Sequence, residues 1–531
     1  MGLAIGLLPL MRHAEVGVVF RQTQSVLIGV LWRGLLLAGF LTWALSKTPS
    51  RARWIAIALL VAWAAFPLGT LTIAWKAVWQ DPDSVLHPVI KILGGFWSQT
   101  APRDPASRGL GLMRGEAATI WVHTLAITPW WVAILSWFRM VRVRGLEELA
   151  ATEGRAFSLA AWQRWATAGV LCAGLLVASV VGDMTASDVF AVRTYAEEIY
   201  LGYPLGGGFA PIVPGPLGDV VPYRFPWSAH LWANAALAAS LSLGLAWGTR
   251  VGRRLTFEPR LPATNHPLNW VVGGIGLVMI AALLFIPASY LIQQAGRVVS
   301  SGPMNSTPVV AWRLAALIER CWQVPWRLRY ELGYSIAISA LAVTLDLLLA
   351  RTLVVLARGR WGALVVIVIL AVCLAVPAPL LGVAALAART WGGALTIALW
   401  DRSLLLPATL LAFKLLPIAV AGLGLIAWQV PRQINDLARL EFGSAWSRWW
   451  RVQGAPHRGW LVGLVAALFL LALTDIAATN LVLPPGVDTA SRRLLGMVHA
   501  GVDDQVAAIT LDYGLAALLL GGLAARLGRS R

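Results

Sequence analysis

Charge is scarce in this chain: only 13% of its 531 residues are charged, with 25 Asp and Glu against 43 Lys and Arg. A soluble domain carries about a quarter of its residues as charges, and so low a share beside long apolar runs effectively excludes a soluble enzyme. Cysteine is scarcer still. Cys172, Cys321 and Cys373 stand singly in or beside apolar stretches. Without paired spacing or neighbouring histidines they build neither a disulfide framework nor a metal site, and packing is their expected role. The chain also lacks a Gly-x-x-x-x-Gly-Lys-Ser/Thr stretch, so it has no P-loop to cradle nucleotide phosphates. The stretch Met1 to Leu10 has neither a basic start nor a small-residue cleavage site before Arg12, which makes it a poor signal peptide.

Apolar residues are abundant, at 58% of the chain, and the mean hydropathy is +0.71. They recur in runs of about 20 residues, the length that crosses a hydrocarbon layer as a helix. These runs predict an all-α polytopic membrane protein with about eleven transmembrane helices, at 24–46, 54–78, 116–138, 166–183, 228–249, 269–293, 333–356, 362–387, 404–430, 459–480 and 507–525. The lipid bilayer is therefore a partner. The 28 tryptophans suit its interfaces, and the net charge of +18 is spread through loops rather than gathered for nucleic acid.

Four basic loops fall on one side: Lys47 to Arg53, Arg139 to Arg155, Arg250 to Arg254 and Arg432 to Arg451. The positive-inside rule makes that side the cytoplasm, with the N-terminus outside and the C-terminus cytoplasmic. One loop, Arg297 to Arg329, is basic on the opposite face.

Two of the cytoplasmic loops resemble each other. "ELAATEGRAFSLAAWQRW" from Glu148 has a counterpart in "DLARLEFGSAWSRWWRV" from Asp436, and the helix after each ends in a related phrase, "GDMTASD" at Gly182 and "LTDIAATN" at Leu473. Six spans separate the loops, so the halves read as a parallel repeat. The expected modules are 1–256, with five spans, and 268–531, with six, joined by the polar linker 257–267. Each loop reads as a short helix along the membrane, acidic at its start and followed by interfacial tryptophans.

These loops resemble the EAA loop of the permease subunits of bacterial ATP-binding cassette importers, Glu-Ala-Ala followed, after three intervening residues, by Gly. The first matches at Glu148, Ala150 and Gly154, with Leu149 in place of the first alanine; the second matches at Asp436 and Ala438, with Phe442 at the expected glycine and Gly443 one residue late. The Leu-Pro that usually closes the family's loop is absent after Trp165. The text after each repeated phrase is similar to fused, two-module permeases of the ferric iron and thiamine importer type. The resemblance implies that Glu148, Ala150, Gly154, Asp436, Ala438 and Gly443 dock two ATPase subunits. It also implies that ATP is bound by those partners with no cofactor on this chain, that an external solute-binding protein delivers ferric iron, thiamine or another small solute, and that the chain, itself no enzyme, resides in a bacterial inner membrane.

Asp346, Arg351 and Lys414 lie in or near predicted spans, where an ionisable residue costs roughly 3 kcal/mol unless paired or hydrated. They line a pathway, or Asp346 and Lys414 neutralise each other while Arg351 snorkels to the membrane edge. The first option suits an ion-coupled secondary transporter. A membrane glycosyltransferase is the enzyme alternative. It would draw on the loop Gln80 to Gly115, with Asp81, Asp83, His87, Lys91, Arg103 and Asp104, although no spacing there fixes a metal or an acid and base pair. The segments "DVFAVRTYAEEIY" and "DTASRRLLGMVHAG" read as amphipathic helices at the outer mouth.

Overall fold

The computed structural model describes residues 14–64, 66, 68–80, 115–142, 159–206, 212–214, 220–222, 256–257, 267–300, 309–391, 393–430 and 432–529, with short helical pieces between 234 and 243. The loop residues Glu148, Ala150 and Gly154, most of the expected span 228–249, the loop 81–114 and most of the linker 257–267 lie outside the described residues.

The chain is a helical, multi-pass membrane protein. Among the described residues eight helices are long and apolar enough to cross a bilayer, and two bent pairs bring the number to as many as ten. The N-terminal half contributes α1 (Ala14–Lys47), α2 (Ser50–Ala64), α3 (Leu68–Gln80), α4 (Gly115–Met140), α5 (Leu159–Gly182) and the short α6 (Tyr195–Gly206). Next come α7 (Pro267–Ala295), α8 (Leu314–Arg327), α9 (Arg329–Leu356), α10 (Arg360–Ala375), α11 (Ala378–Trp391), α12 (Gly393–Arg402) and α13 (Leu405–Gln429). After α14 (Arg432–Glu441), a continuous rod α15 (Ala445–Leu473) passes through a π turn at Trp450–Gly454 and a 3-10 turn at Ala455–His457. Two last helices, α16 (Ala490–His499) and α17 (Asp503–Arg529), close the chain.

The described strands form three antiparallel pairs: β1 (Val141–Arg142) with β4 (Thr256–Phe257), β2 (Ile212–Pro214) with β3 (Val220–Pro222), and β5 (Arg297–Ser300) with β6 (Val309–Trp312). The first pair ties the end of α4 to the segment before α7. Lys47, Arg142, Arg351 and Trp446 thus lie at one end of the bundle, the basic-loop end. Asp183, Ala295, Asp475 and Asp503 lie at the other, the far end.

Two expected spans are not straight. Residues 54–78 are broken between α2 and α3 with a bend of 96°, and 362–387 between α10 and α11 with a bend of 98°. The breaks fall where the sequence reads Ala65-Phe66-Pro67 and Val376-Pro377. Proline cannot donate to the helix ladder and pushes the residue before it towards extended backbone. Val376, at φ −84° and ψ 117°, has that conformation.

Small residues let helices approach closely, the main device for packing where lipid removes the hydrophobic drive. A Cβ on Gly276 of α7 would sit 2.5 Å from the Cβ of Ala44 on α1. Through such contacts α7 packs on the N-terminal half: Ile280 and Leu291 share a core with Val30, Leu41, Trp63 and Trp131, which Ala507 and Ala508 of α17 also enter. A second core joins α9, α10, α13 and α15 through Ile338, Val366, Leu411, Leu416 and Leu468.

Candidate functional site

The repeated phrases fold into the same local structure. Asp183, just past α5, accepts a bond from the Ala186 N–H at 3.1 Å, and Asp475, just past α15, accepts one from the Ala478 N–H at 2.8 Å. In each case the carboxylate caps the turn that follows it, three residues on. The helix after each turn is then tied to the start of an earlier helix. The Tyr195 N–H at the head of α6 donates to the Thr23 hydroxyl of α1 at 3.0 Å, and the Ala490 N–H at the head of α16 donates to the Ser335 hydroxyl of α9 at 3.0 Å.

Five residues beyond each capping aspartate the two segments exchange contacts. Asp188 meets the His499 ring of α16, Nε2 to carboxylate, at 3.0 Å. Asn480 donates its amide to the Tyr200 hydroxyl of α6. Each turn therefore holds the helix that follows the other turn, the reciprocal arrangement of a twofold interface. Burial, with the nearby Asp188 charge, holds the Tyr200 phenol above its ordinary range. One turn before Tyr200, burial pushes the Glu197 carboxyl up to about 7, against a hydrogen bond from the Thr194 backbone and with help from Asp188.

Beneath this clasp lies a charged group that breaks the twofold. Lys414 of α13 pairs with the Asp475 carboxylate and also interacts electrostatically with Asp183, so one ammonium is shared between two capping aspartates from different halves. In the N-terminal half the corresponding neighbours α4 and α5 are linked by His123, whose Nδ1 lies 3.2 Å from the Ser179 hydroxyl. Between the halves a small crevice of about 10 Å³ is lined by Gly69, Thr70, Ile73, Thr185, Val189, Thr474, Ile476, Ser491, Leu494, Leu495 and Tyr513, and its walls are almost wholly apolar. Among the described residues no group of His, Cys, Asp and Glu is arranged to hold a metal ion.

The structure corrects the pairing expected for Lys414. Its partner is Asp475, not Asp346. Lys414 stands nine residues from the far-end start of α13 and Asp346 seventeen from that of α9. At 1.5 Å per residue the two differ in height by roughly 12 Å. Asp346 is fully buried and neither of its oxygens has a hydrogen-bond partner. Arg351 is at the basic-loop end. Its guanidinium lies 5.3 Å from the ring centroids of both Trp446 and Trp449, at the head of α15.

At the same end α14 carries the second acidic loop. Asp436 is exposed, with Arg439 3.5 Å away, and Gly443 is exposed with open space around it. Ala438 is buried and faces the chain itself. The outward apolar residues of α14 are Ile434, Leu437 and Leu440, at helical spacing on one side. Sequence reasoning missed these three, and also Asp188, Tyr200, Asn480 and His499. The echo of "GDMTASD" in "LTDIAATN" was the available signal for the clasp, since Asp188 and Asn480 close those two phrases. No family model matches the chain, and neither a curated protein nor a solved structure does.

Proposed function

We propose that this chain is the membrane-spanning subunit of an ATP-driven importer, a fused permease of two parallel modules, 1–256 and 268–531, around one solute pathway. The observation that carries the reading is the reciprocal clasp. Capping aspartates, hydroxyl ties and exchanged contacts recur in the same order in both halves, and the bent pairs α2–α3 and α10–α11 precede them in the same order. A duplicated module closed on itself produces this pattern.

The basic-loop end is then cytoplasmic, with the N-terminus outside and the C-terminus inside a bacterial inner membrane. There the loops near 148–165 and 436–452 dock two ATPase subunits. In the first, Glu148, Ala150 and Gly154 are the contact residues. In the second, Asp436 and Gly443 lie on the open side together with Ile434, Leu437 and Leu440, while Ala438 lets α14 approach its own protein. Arg351, clamped against Trp446 and Trp449, passes movement of that loop to α9. At the far end the clasp forms the outer gate, facing a solute-binding protein. ATP-driven closure of the partner subunits would open it as a rigid-body switch between two arrangements. Ferric iron is the first cargo to test, thiamine the second.

The shared Lys414 favours one other reading, an ion-coupled transporter in which this buried charge moves with the solute. Uptake by proteoliposomes separates them. The importer needs ATP together with its ATPase and is indifferent to a proton gradient; the ion-coupled carrier runs on the gradient without ATP.

A further inference from the structure

Helix α8 presents three chemically different faces. Leu317, Cys321 and Val324 turn inward, and Arg320 in their midst donates to the carbonyls of Ala295 at 2.7 Å and Arg297 at 2.6 Å while pairing with Asp504 at 2.9 Å. A second face is a polar row four residues apart: Gln323 donates to Glu319 at 2.6 Å, and Arg327 donates to Gln323 at 2.9 Å. The third is apolar and open. Leu314, Ile318, Trp322 and Trp326 recur every four residues and are 57%, 61%, 75% and 64% exposed. At 100° per residue these faces divide the helix surface into three adjoining sectors.

We propose that α8 lies along the bilayer interface at the far end, with its inner face on the protein, its tryptophan face in the acyl boundary and its Glu319–Gln323–Arg327 row in water. Its depth is set by Arg320. That side chain grips the last carbonyl of α7, the first carbonyl of β5 and the first turn of α17, so α8 sits at the level where two spans leave the hydrocarbon. The apolar stripe is continuous with lipid-facing surface on either side: Tyr330 and Ile336 on α9, and Val278, Phe285 and Ile292 on α7, are all exposed. Charge completes the fit. Arg313, Arg327 and Arg329 are exposed around the stripe, and Arg329 stacks 5.3 Å from the Trp326 ring centroid and 4.6 Å from that of Tyr330, within reach of lipid phosphates. This also explains a basic loop on the far face: its arginines anchor an interfacial helix instead of reporting the cytoplasmic side.

The test is a nitroxide scan of α8 in a C172A/C321A/C373A background, in vesicles of phosphatidylethanolamine and phosphatidylglycerol. Labels at 314, 318 and 322 are expected to relax faster with oxygen, which concentrates in lipid, and those at 319 and 323 faster with a water-soluble nickel chelate. Dominance of the chelate at all five positions overturns the proposal. So does dipolar broadening at 322 that vanishes on dilution with unlabelled protein, which would give the stripe to a second copy of the chain. Should the cysteine-free chain fail to fold, hydroxyl-radical footprinting of the unaltered protein in nanodiscs decides the matter. Protection of Trp322 and Trp326 supports a lipid cover, and rapid oxidation of both overturns it.

Discussion

Asp188 and His499, 311 residues apart in sequence, meet at 3.0 Å at the far end of the bundle, and Asn480 meets Tyr200 in the reciprocal contact. The two contacts staple the halves together across the crevice between Thr185 and Thr474. If this staple is the outer gate, it must break during transport. A short thiol-to-thiol linker between D188C and H499C is expected to abolish uptake while leaving ATPase association intact, with recovery on reduction. Undiminished uptake by the linked protein would remove the gate role.

Lys414 and Asp475 form a pair that is largely withdrawn from water, with Asp475 the deeper partner. Removing one member of a buried pair leaves the other charge uncompensated, at a cost of about 3–5 kcal/mol. K414M is therefore expected to lower stability by an amount in that range, measured by unfolding in detergent, and K414M/D475L to recover much of it. D183N should cost less, since Asp183 makes no direct ion pair with Lys414. Equal losses for D183N and K414M would contradict the assignment of Asp475 as the main partner.

Asp346 gives the opposite sign. Both oxygens are buried without a partner, and an unsatisfied buried polar group costs about 1–3 kcal/mol. D346L, similar in volume, is expected to raise the unfolding midpoint. A fall would mean that the carboxyl serves a contact made in another state.

Glu197 predicts a pH dependence. Its folded carboxyl titrates at about 7, above the ordinary 4.5, so the folded chain holds this proton more tightly than the unfolded one. The favourable contribution is present below pH 4.5 and is lost as pH rises through 7. Thermal stability should therefore decline between those values, and E197Q should flatten the decline. An unchanged slope in E197Q would place its origin elsewhere.

Much of the fold was legible because lipid imposes simple rules. Apolar length located seven of the eight spans within a few residues, while the span expected at 459–480 lies at Ala445–Leu473, because polar and aromatic residues from Ala445 onward join its helix and the turns carrying Asp475 end it early. The two similar phrases marked the turns that carry Asp183 and Asp475. What sequence alone did not yield depends on which helices become neighbours and at what height. Proline marked the breaks at Phe66 and Val376 but not bends near a right angle. Lys414 was recognised as a costly intramembrane charge, yet its partner was misassigned because Asp346 sits some eight residues deeper along its helix. For α14 the acidic Asp436 was conspicuous, but the helix begins four residues earlier at Arg432, so Asp436 falls in its second turn and not at its start. Its outward face, Ile434, Leu437 and Leu440, emerged only once Ala438 was seen to be buried.

The most direct measurement is copurification of the tagged chain from a bacterial membrane, followed by an assay for ATP hydrolysis and identification of the retained chains. The expected result is an ATPase held by the unaltered protein and released by L437D and L440D, which add charge to exposed positions and leave the interior untouched. A protein that retains no ATPase, and whose solute flux follows the proton gradient without ATP, would contradict the importer reading.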